Sequence, residues 1–263
     1  MKVHDIKRLV SSGAFIEGIY NYCDRWCERC GFTSRCLNFA MGEEMDKGKK
    51  PGSHDAKNRE YWDSLNEVFE LTMEMLHECA KESGVDLDAM ADDPAIAGEV
   101  RATDRKAKNN AAAKAANAYA KIVNAWFKEH MPRLERKRDN LLLLGELEIN
   151  AEKQQQELSK VIDAVEVVRW YQYQIYVKLV RACTSLSPLA EEPDEYPRDS
   201  DGSAKVALIG IDRSIGAWGI IRKEVPEQAD EILDILLHLD RLRRKIEKKF
   251  PDARGFKRPG FDA

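Results

Sequence analysis

Apolar residues recur at helical spacing along most of this chain, and strand-like alternation is nowhere sustained. Two stretches show the pattern clearly, residues 61–80 and 115–127. In the first of them the recurring positions are Trp62, Leu65, Phe69, Leu76 and Cys79. Prolines fall mostly between the periodic segments, as expected where helices end. The pattern predicts further helices around 12–30, 133–149, 155–186, 204–223 and 227–249. The sequence therefore predicts an all-α bundle of about six or seven helices.

The domain prediction rests on length and on two polar stretches. Residues 41–56 and 187–203 are rich in polar residues with glycine or proline, which predicts loops. A chain of 263 residues, 43% of them hydrophobic, can bury one substantial core, so we expect a single helical domain over 1–263 with a cysteine-rich segment at 1–40. No run of eighteen apolar residues and no signal-peptide pattern occur, so we expect no membrane contact and a cytoplasmic location.

Four of the six cysteines form a cluster with the spacing C-x3-C-x2-C-x5-C, namely Cys23, Cys27, Cys30 and Cys36. In a reducing compartment, clustered cysteines indicate metal binding or catalysis more often than disulfides. Thiolates are soft ligands that select zinc or iron–sulfur clusters, and either site needs four of them. The cluster therefore predicts a metal centre. The isolated Cys79 and Cys183 are predicted to be buried structural thiols.

The kind of metal depends on the local backbone. If residues 12–30 are helical, Cys23 and Cys30 lie about 10 Å apart along the axis, whereas one zinc ion needs sulfurs within about 4 Å of one another. A [4Fe-4S] cluster presents its irons at separate corners and tolerates sulfurs about 6 Å apart, so a helix favours the cluster. If the segment unwinds, zinc fits equally well. The alternative is a stripe of core cysteines continuing Ile16, Ile19 and Tyr20, but Cys36 lies beyond that stripe.

Local resemblances accompany this pattern. Cys27-x2-Cys30-x5-Cys36 is similar to the last three cysteines of the iron–sulfur loop in the endonuclease III and MutY glycosylases, which implies a cluster-binding loop. No helix–hairpin–helix signature or catalytic aspartate setting is present, so glycosylase activity is not implied. Cys23, Cys27 and Cys30 also share the C-x3-C-x2-C spacing of radical SAM enzymes, whose barrel needs strands that this chain does not predict.

The whole chain resembles a family of bacterial all-helical proteins. The segments that carry this resemblance are CDRWCERCGFTSRC at 23–36, AVEVVRWYQYQI at 164–175 and FPDARGFKRPGFD at 250–262. It implies a bacterial source and brings no activity with it. The last segment is too apolar for a free tail, so we expect it to pack back on the bundle.

Glu166 is a further candidate site residue. The predicted helix 155–186 is apolar on two sides, and Glu166 belongs to the second side with Trp170, Tyr173 and Val177. Such a helix lies at the centre of a bundle or at an interface between copies of the chain. We therefore expect Glu166 to be desolvated, either as a functional carboxylate or in a structural ion pair with an arginine.

The sequence therefore favours an iron–sulfur protein that binds a [4Fe-4S] cluster in a redox, sensing or structural role. Two alternatives remain open. A zinc-stapled helical interaction module could contact nucleic acid through the basic segments 101–138 and 241–258, although no groove-reading motif accompanies them. A di-iron oxidoreductase would use the E-x-x-H element Glu74–His77, with Asp234 and His238 as the nearest substitute for its partner. His4, His54 and His130 lie in polar contexts and are predicted to be surface residues.

Overall fold

The computed structural model describes residues 3–47, 55–146, 151–186 and 198–262. Within these ranges the regular structure is helical, with nine α-helices and no strand, which confirms the predicted all-α class. None of the described helices is both long enough and apolar enough to cross a membrane. The helices are α1 Val3–Ser11, α2 Leu37–Asp46, α3 Arg59–Ser83, α4 Leu87–Ala91, α5 Pro94–Lys108, α6 Ala111–Glu146, α7 Ala151–Thr184, α8 Asp199–Glu224 and α9 Ala229–Lys249.

The prediction of six or seven helices is too low. The helices α1, α2, α4 and α5 have no counterpart among the predicted helices, and the predicted helix at 12–30 is replaced by turns. The predicted helices at 115–127 and 133–149 are one helix, because α6 continues through Pro132. Proline removes one backbone hydrogen bond and bends a helix without ending it when the flanking turns are held by packing. Leu134, just beyond Pro132, is buried and supplies such packing.

The chain divides into two compact units, residues 1–102 with 258–263 and residues 103–257. We call the first the cysteine unit and the second the four-helix unit. The predicted single domain over 1–263 stays a prediction, because compactness alone does not decide whether the two units fold independently.

The four-helix unit is built from α6, α7, α8 and α9. The helices α7 and α8 share the most extensive packing, and contacts of α6 with α7, α8 with α9 and α6 with α9 close the cycle. Gly210 on α8 allows α7 to approach closely, since a Cβ atom there would lie 2.9 Å from Cδ1 of Tyr171 on α7. The largest fully buried side chains of this unit include Trp218, Tyr119, Tyr171, Phe250, Ile175, Leu179, Leu208, Ile211, Ile221 and Ile232.

The helix α7 is buried on one side only. The predicted first face is largely buried: Val161, Ala164, Val168, Tyr171, Ile175 and Leu179 are buried, whereas Val165 on the same predicted face is half-buried. On the second face Trp170 is half-buried, whereas Tyr173 and Val177 are 51% and 58% exposed. A position of α7 at the centre of the bundle is therefore wrong, whereas a position at an interface between copies of the chain stays a prediction.

The cysteine unit has a much smaller core. Val3 and Ile6 of α1 and Leu71 of α3 are buried, with Met41, Met45 and Met75 packed around them. The predicted inward face of α3 is wrong, since Trp62, Phe69 and Leu76 are exposed. Leu71 and Met75, one turn apart, form the side of α3 that packs.

Both predicted loops overlap helices. The stretch 41–56 begins inside α2, whose Met41 and Met45 pack on the small core, and residues 48–54 lie outside the described residues. The stretch 187–203 ends inside α8, and residues 187–197 lie outside the described residues. The helix α8 starts early because Asp199 lies in its first turn, where a carboxylate interacts favourably with the helix dipole.

Candidate metal centre

The four clustered cysteines lie in residues 16–36, which we call the cysteine loop. Its two ends are joined by a backbone hydrogen bond from the amide of Ile16 to the carbonyl of Arg35, 3.0 Å long. Ile19 is almost completely buried and anchors the loop. The loop is therefore closed on itself.

The backbone between Cys23 and Cys27 cannot be helical. Arg25 has φ of +58°, a left-handed conformation that non-glycine residues rarely adopt. Just before it, Oδ1 of Asp24 accepts a hydrogen bond from the amide of Trp26, 3.3 Å away, as in an Asx turn. The prediction that Cys23, Cys27 and Cys30 share one helix face is therefore wrong.

The remaining cysteines are placed by two short 3-10 turns. The turn Cys27–Arg29 closes with a hydrogen bond from the amide of Cys30 to the carbonyl of Cys27, and Thr33–Arg35 closes likewise from Cys36 to Thr33. The amide of Phe32 also points at Sγ of Cys30, 3.4 Å away. Backbone N–H groups aimed at sulfur stabilise negative charge on that sulfur.

All four cysteines line one small cavity of about 20 Å³. Its other walls are mainly apolar and come from Ile19, Tyr20, Trp26, Phe32, Phe39 and Phe261. The cavity is about the size of a single water-sized sphere. Each of the four cysteines is partly exposed and free of any disulfide.

The thiols are close enough to affect one another. Burial raises the pKa of Cys27 above its ordinary value, and the negative charges of Cys23, Cys30 and Cys36 raise it further. Even so, across the described residues no three His, Cys, Asp or Glu side chains are arranged so that they could hold a metal ion as they stand. The thiols share a cavity without meeting at ligand distances.

The other predicted site residues do not come together. Glu166 is exposed, which contradicts the predicted desolvation, and it lies at the edge of an apolar groove between α6 and α7. Glu74 and His77 are both exposed on α3. His238 is half-buried and its Nε2 lies 2.8 Å from the carbonyl oxygen of Ala115, so that nitrogen is already used. The exposed Asp234 lies on α9 with it.

Two predictions about single residues are also wrong. Cys79 is exposed, because the predicted apolar face of α3 points outward, whereas Cys183 is half-buried and its pKa is raised by that burial. The predicted surface position of His130 is wrong too, since it is 6% exposed and its Nε2 lies 2.9 Å from Oε2 of Glu231. The aromatic pair Trp126 and Phe127, one turn earlier, is the sequence signal for this burial.

Several cations of the basic segment 241–258 are paired with carboxylates. Arg243 pairs with Asp240, with nitrogen and oxygen 2.6 Å apart, and Arg254 contacts Asp212 and Glu247 at 2.5 and 2.9 Å. A nucleic-acid interface at this segment or at 101–138 stays a prediction.

Comparisons of the chain with protein-family models, with curated proteins and with solved structures found no match. The similarity of the cysteine loop to the glycosylase iron–sulfur loop and the resemblance to a bacterial family therefore stay predictions.

Proposed function

We propose that Cys23, Cys27, Cys30 and Cys36 together bind a metal centre through four thiolates. The observation that carries this proposal is that all four line one small cavity inside a loop whose ends are hydrogen-bonded to each other. Binding needs side-chain rotation, since tetrahedral zinc requires the sulfurs within about 4 Å of one another. A cation in the cavity would offset the mutual repulsion of the thiolates.

Zinc is the better candidate for this centre. The [4Fe-4S] prediction depends on a helix through Cys23, Cys27 and Cys30, and Arg25 breaks that helix. A Cys-x2-Cys pair in a tight turn is a frequent half of a structural zinc site. A cavity of about 20 Å³ also suits one ion better than a cluster of four irons and four sulfides.

A [4Fe-4S] cluster is the second candidate. The amide of Phe32 directed at Sγ of Cys30 favours such a cluster, because hydrogen bonds to ligand sulfur tune its reduction potential. In this case the chain would have a redox or sensing role. Both candidates require reduced thiols, so the proposal includes a cytoplasmic location.

A four-thiolate zinc site leaves no position open for substrate, which is typical of structural and not catalytic zinc. The core of the cysteine unit, built around Val3, Ile6 and Leu71, is small, so a structural zinc ion would add stability to this unit. Small domains with few buried apolar residues commonly use a metal to hold their fold. We therefore propose a metal-stapled helical interaction module.

The deciding experiment is purification without oxygen, followed by measurement of zinc, iron and acid-labile sulfide per chain and an absorption spectrum. One zinc without sulfide supports the preferred candidate. Four irons with four sulfides and a broad band near ~400 nm would select the cluster instead. A chain that holds neither, even after refolding with zinc or with iron and sulfide, would overturn the proposal.

A further inference from the structure

The end of the chain forms one wall of the cysteine cavity. Phe261 lines the cavity together with the four cysteines. Its ring meets the ring of Phe32 edge-on, with centroids 5.0 Å apart and planes at 70°. Phe32 is the residue whose amide points at the sulfur of Cys30. The contact therefore bears directly on the backbone that presents a predicted ligand.

The residues around Phe261 form a closed turn. The backbone amide and Nε of Arg258 both donate to Oδ2 of Asp262 at 3.0 Å, and Nη2 donates to Oδ1 at 3.0 Å. The two side chains are only 15% and 21% exposed. The guanidinium of Arg258 also lies 4.8 Å from the ring centroid of Phe261. This pair fixes the direction in which the phenylalanine points.

Gly260 seats this turn on the cysteine loop. It has φ of +77°, and a Cβ atom there would lie 2.9 Å from Cδ1 of both Ile16 and Ile19. Ile16 closes the loop through its bond to Arg35, and Ile19 lines the cavity. Only glycine allows the chain to approach this closely.

We propose that residues 258–262 are part of the metal site, with Phe261 as a positioning residue that covers the thiolates. This inference rests on the proposed function. An apolar shell around a metal site controls the access of water and of competing ligands, and so sets how fast metal is lost. The cover fixes Phe32 through ring packing and keeps solvent from the cavity on the side that Phe261 occupies.

The test uses the full-length chain with Phe261→Ala. The control is Phe69→Ala, the same substitution in the same unit at a ring that is 60% exposed. Release of bound zinc to a chromophoric chelator should be about tenfold faster in Phe261→Ala, because an aromatic pair and a half-buried ring are lost together. Phe69→Ala should match wild type, and Phe261→Leu should recover most of the slow release.

Alkylation of the four thiols in metal-free protein by iodoacetamide is measured in parallel. It should be faster in Phe261→Ala and in Gly260→Val, whose side chain has no room against Ile16 and Ile19. If both variants release metal and react at wild-type rates, the cover does not exist although the metal site stands. If wild type binds no metal, the proposed function fails, and the alkylation rates alone then decide whether residues 258–262 shield the cysteines.

Discussion

Nε1 of Trp218 donates a hydrogen bond to the hydroxyl oxygen of Tyr119, 3.1 Å away, in the middle of the four-helix unit. Both side chains are completely buried. The ring of Trp126 meets Trp218 edge-on beside this bond, with centroids 4.9 Å apart. The bond joins α6 to α8 where no water can replace either partner. Loss of either side chain would therefore leave the polar group of the other buried without this hydrogen-bond partner.

Removal of the Tyr119 hydroxyl would leave the indole N–H of Trp218 buried without this acceptor. We expect Tyr119→Phe to lower the free energy of unfolding by about 1–3 kcal/mol. The matched control is Tyr173→Phe, because Tyr173 is 51% exposed and water can take the place of the removed hydroxyl. The change in the free energy of unfolding should therefore stay within about 0.5 kcal/mol. Urea denaturation followed by circular dichroism measures both. Equal effects of the two variants would contradict a stabilising role for the buried hydrogen bond between Tyr119 and Trp218.

The same tyrosine predicts a loss of stability at alkaline pH. Burial raises the pKa of Tyr119 from 10.0 to about 12. Since the folded-state pKa lies above the unfolded one, the contribution of the protonated hydroxyl is complete below about pH 10 and is lost as pH rises through about 12. Thermal midpoints of wild type should fall more steeply over this window than those of Tyr119→Phe. Parallel profiles would show that another group governs alkaline unfolding.

The helix α9 could be predicted because a single buried stripe specifies it. The predicted 227–249 agrees closely with α9, Ala229–Lys249, whose buried Ile232, Ile235, Leu239, Leu242 and Ile246 repeat at helical spacing. The helix α3 shows the limit of this reasoning. Trp62 and Phe69 are its largest apolar side chains, but the smaller Leu71 and Met75 pack inward. Periodicity identifies a helix more reliably than it identifies the buried side.

The cysteine loop could be predicted as a cluster but not as a shape. The spacing of Ile16, Ile19 and Tyr20 ahead of the cysteines is compatible with a helix. Local turn chemistry at Asp24 and the left-handed Arg25 override that spacing. The ring contact of Phe261 with Phe32 joins distant parts of the chain, so no local pattern specifies it.

Cys27→Ser should remove most of the bound metal, because serine supplies no thiolate to complete the set of four. Cys79→Ser is the control, since Cys79 is exposed on α3 and does not line the cavity. Cys183→Ser, in the four-helix unit, should also keep its metal. Metal content per chain after gel filtration is the measurement. Full retention in the serine variants of all four clustered cysteines would rule out a shared centre.

Glu166→Gln should leave the free energy of unfolding within about 0.5 kcal/mol of wild type, because the carboxylate is exposed. Val168→Ala, two residues along α7, should cost about 1–3 kcal/mol, since that side chain is completely buried. Urea midpoints compare the two variants. A large effect of Glu166→Gln would instead show that α7 is covered in solution on its second face, as an interface between copies requires.

Asp201→Asn should stabilise the chain at neutral pH. Burial raises the pKa of Asp201, and the negative charge of Asp252 raises it further, so the ionised carboxylate is unfavourable in the folded state. A raised folded-state pKa means that the protonated Asp201 side chain stabilises the folded chain below its ordinary pKa of 3.8. This stabilisation is lost as pH rises through the folded-state pKa. The asparagine variant should therefore have the higher thermal midpoint at pH 7, with an advantage that narrows on acidification.

The control is Asp199→Asn in the same first turn of α8, where the carboxylate accepts bonds from Nε of Arg181 at 3.0 Å and Oγ of Ser185 at 2.6 Å. That variant should lose about 1 kcal/mol at pH 7. An advantage of Asp201→Asn that persists unchanged at low pH would mean that the substitution acts through packing and not through the charge.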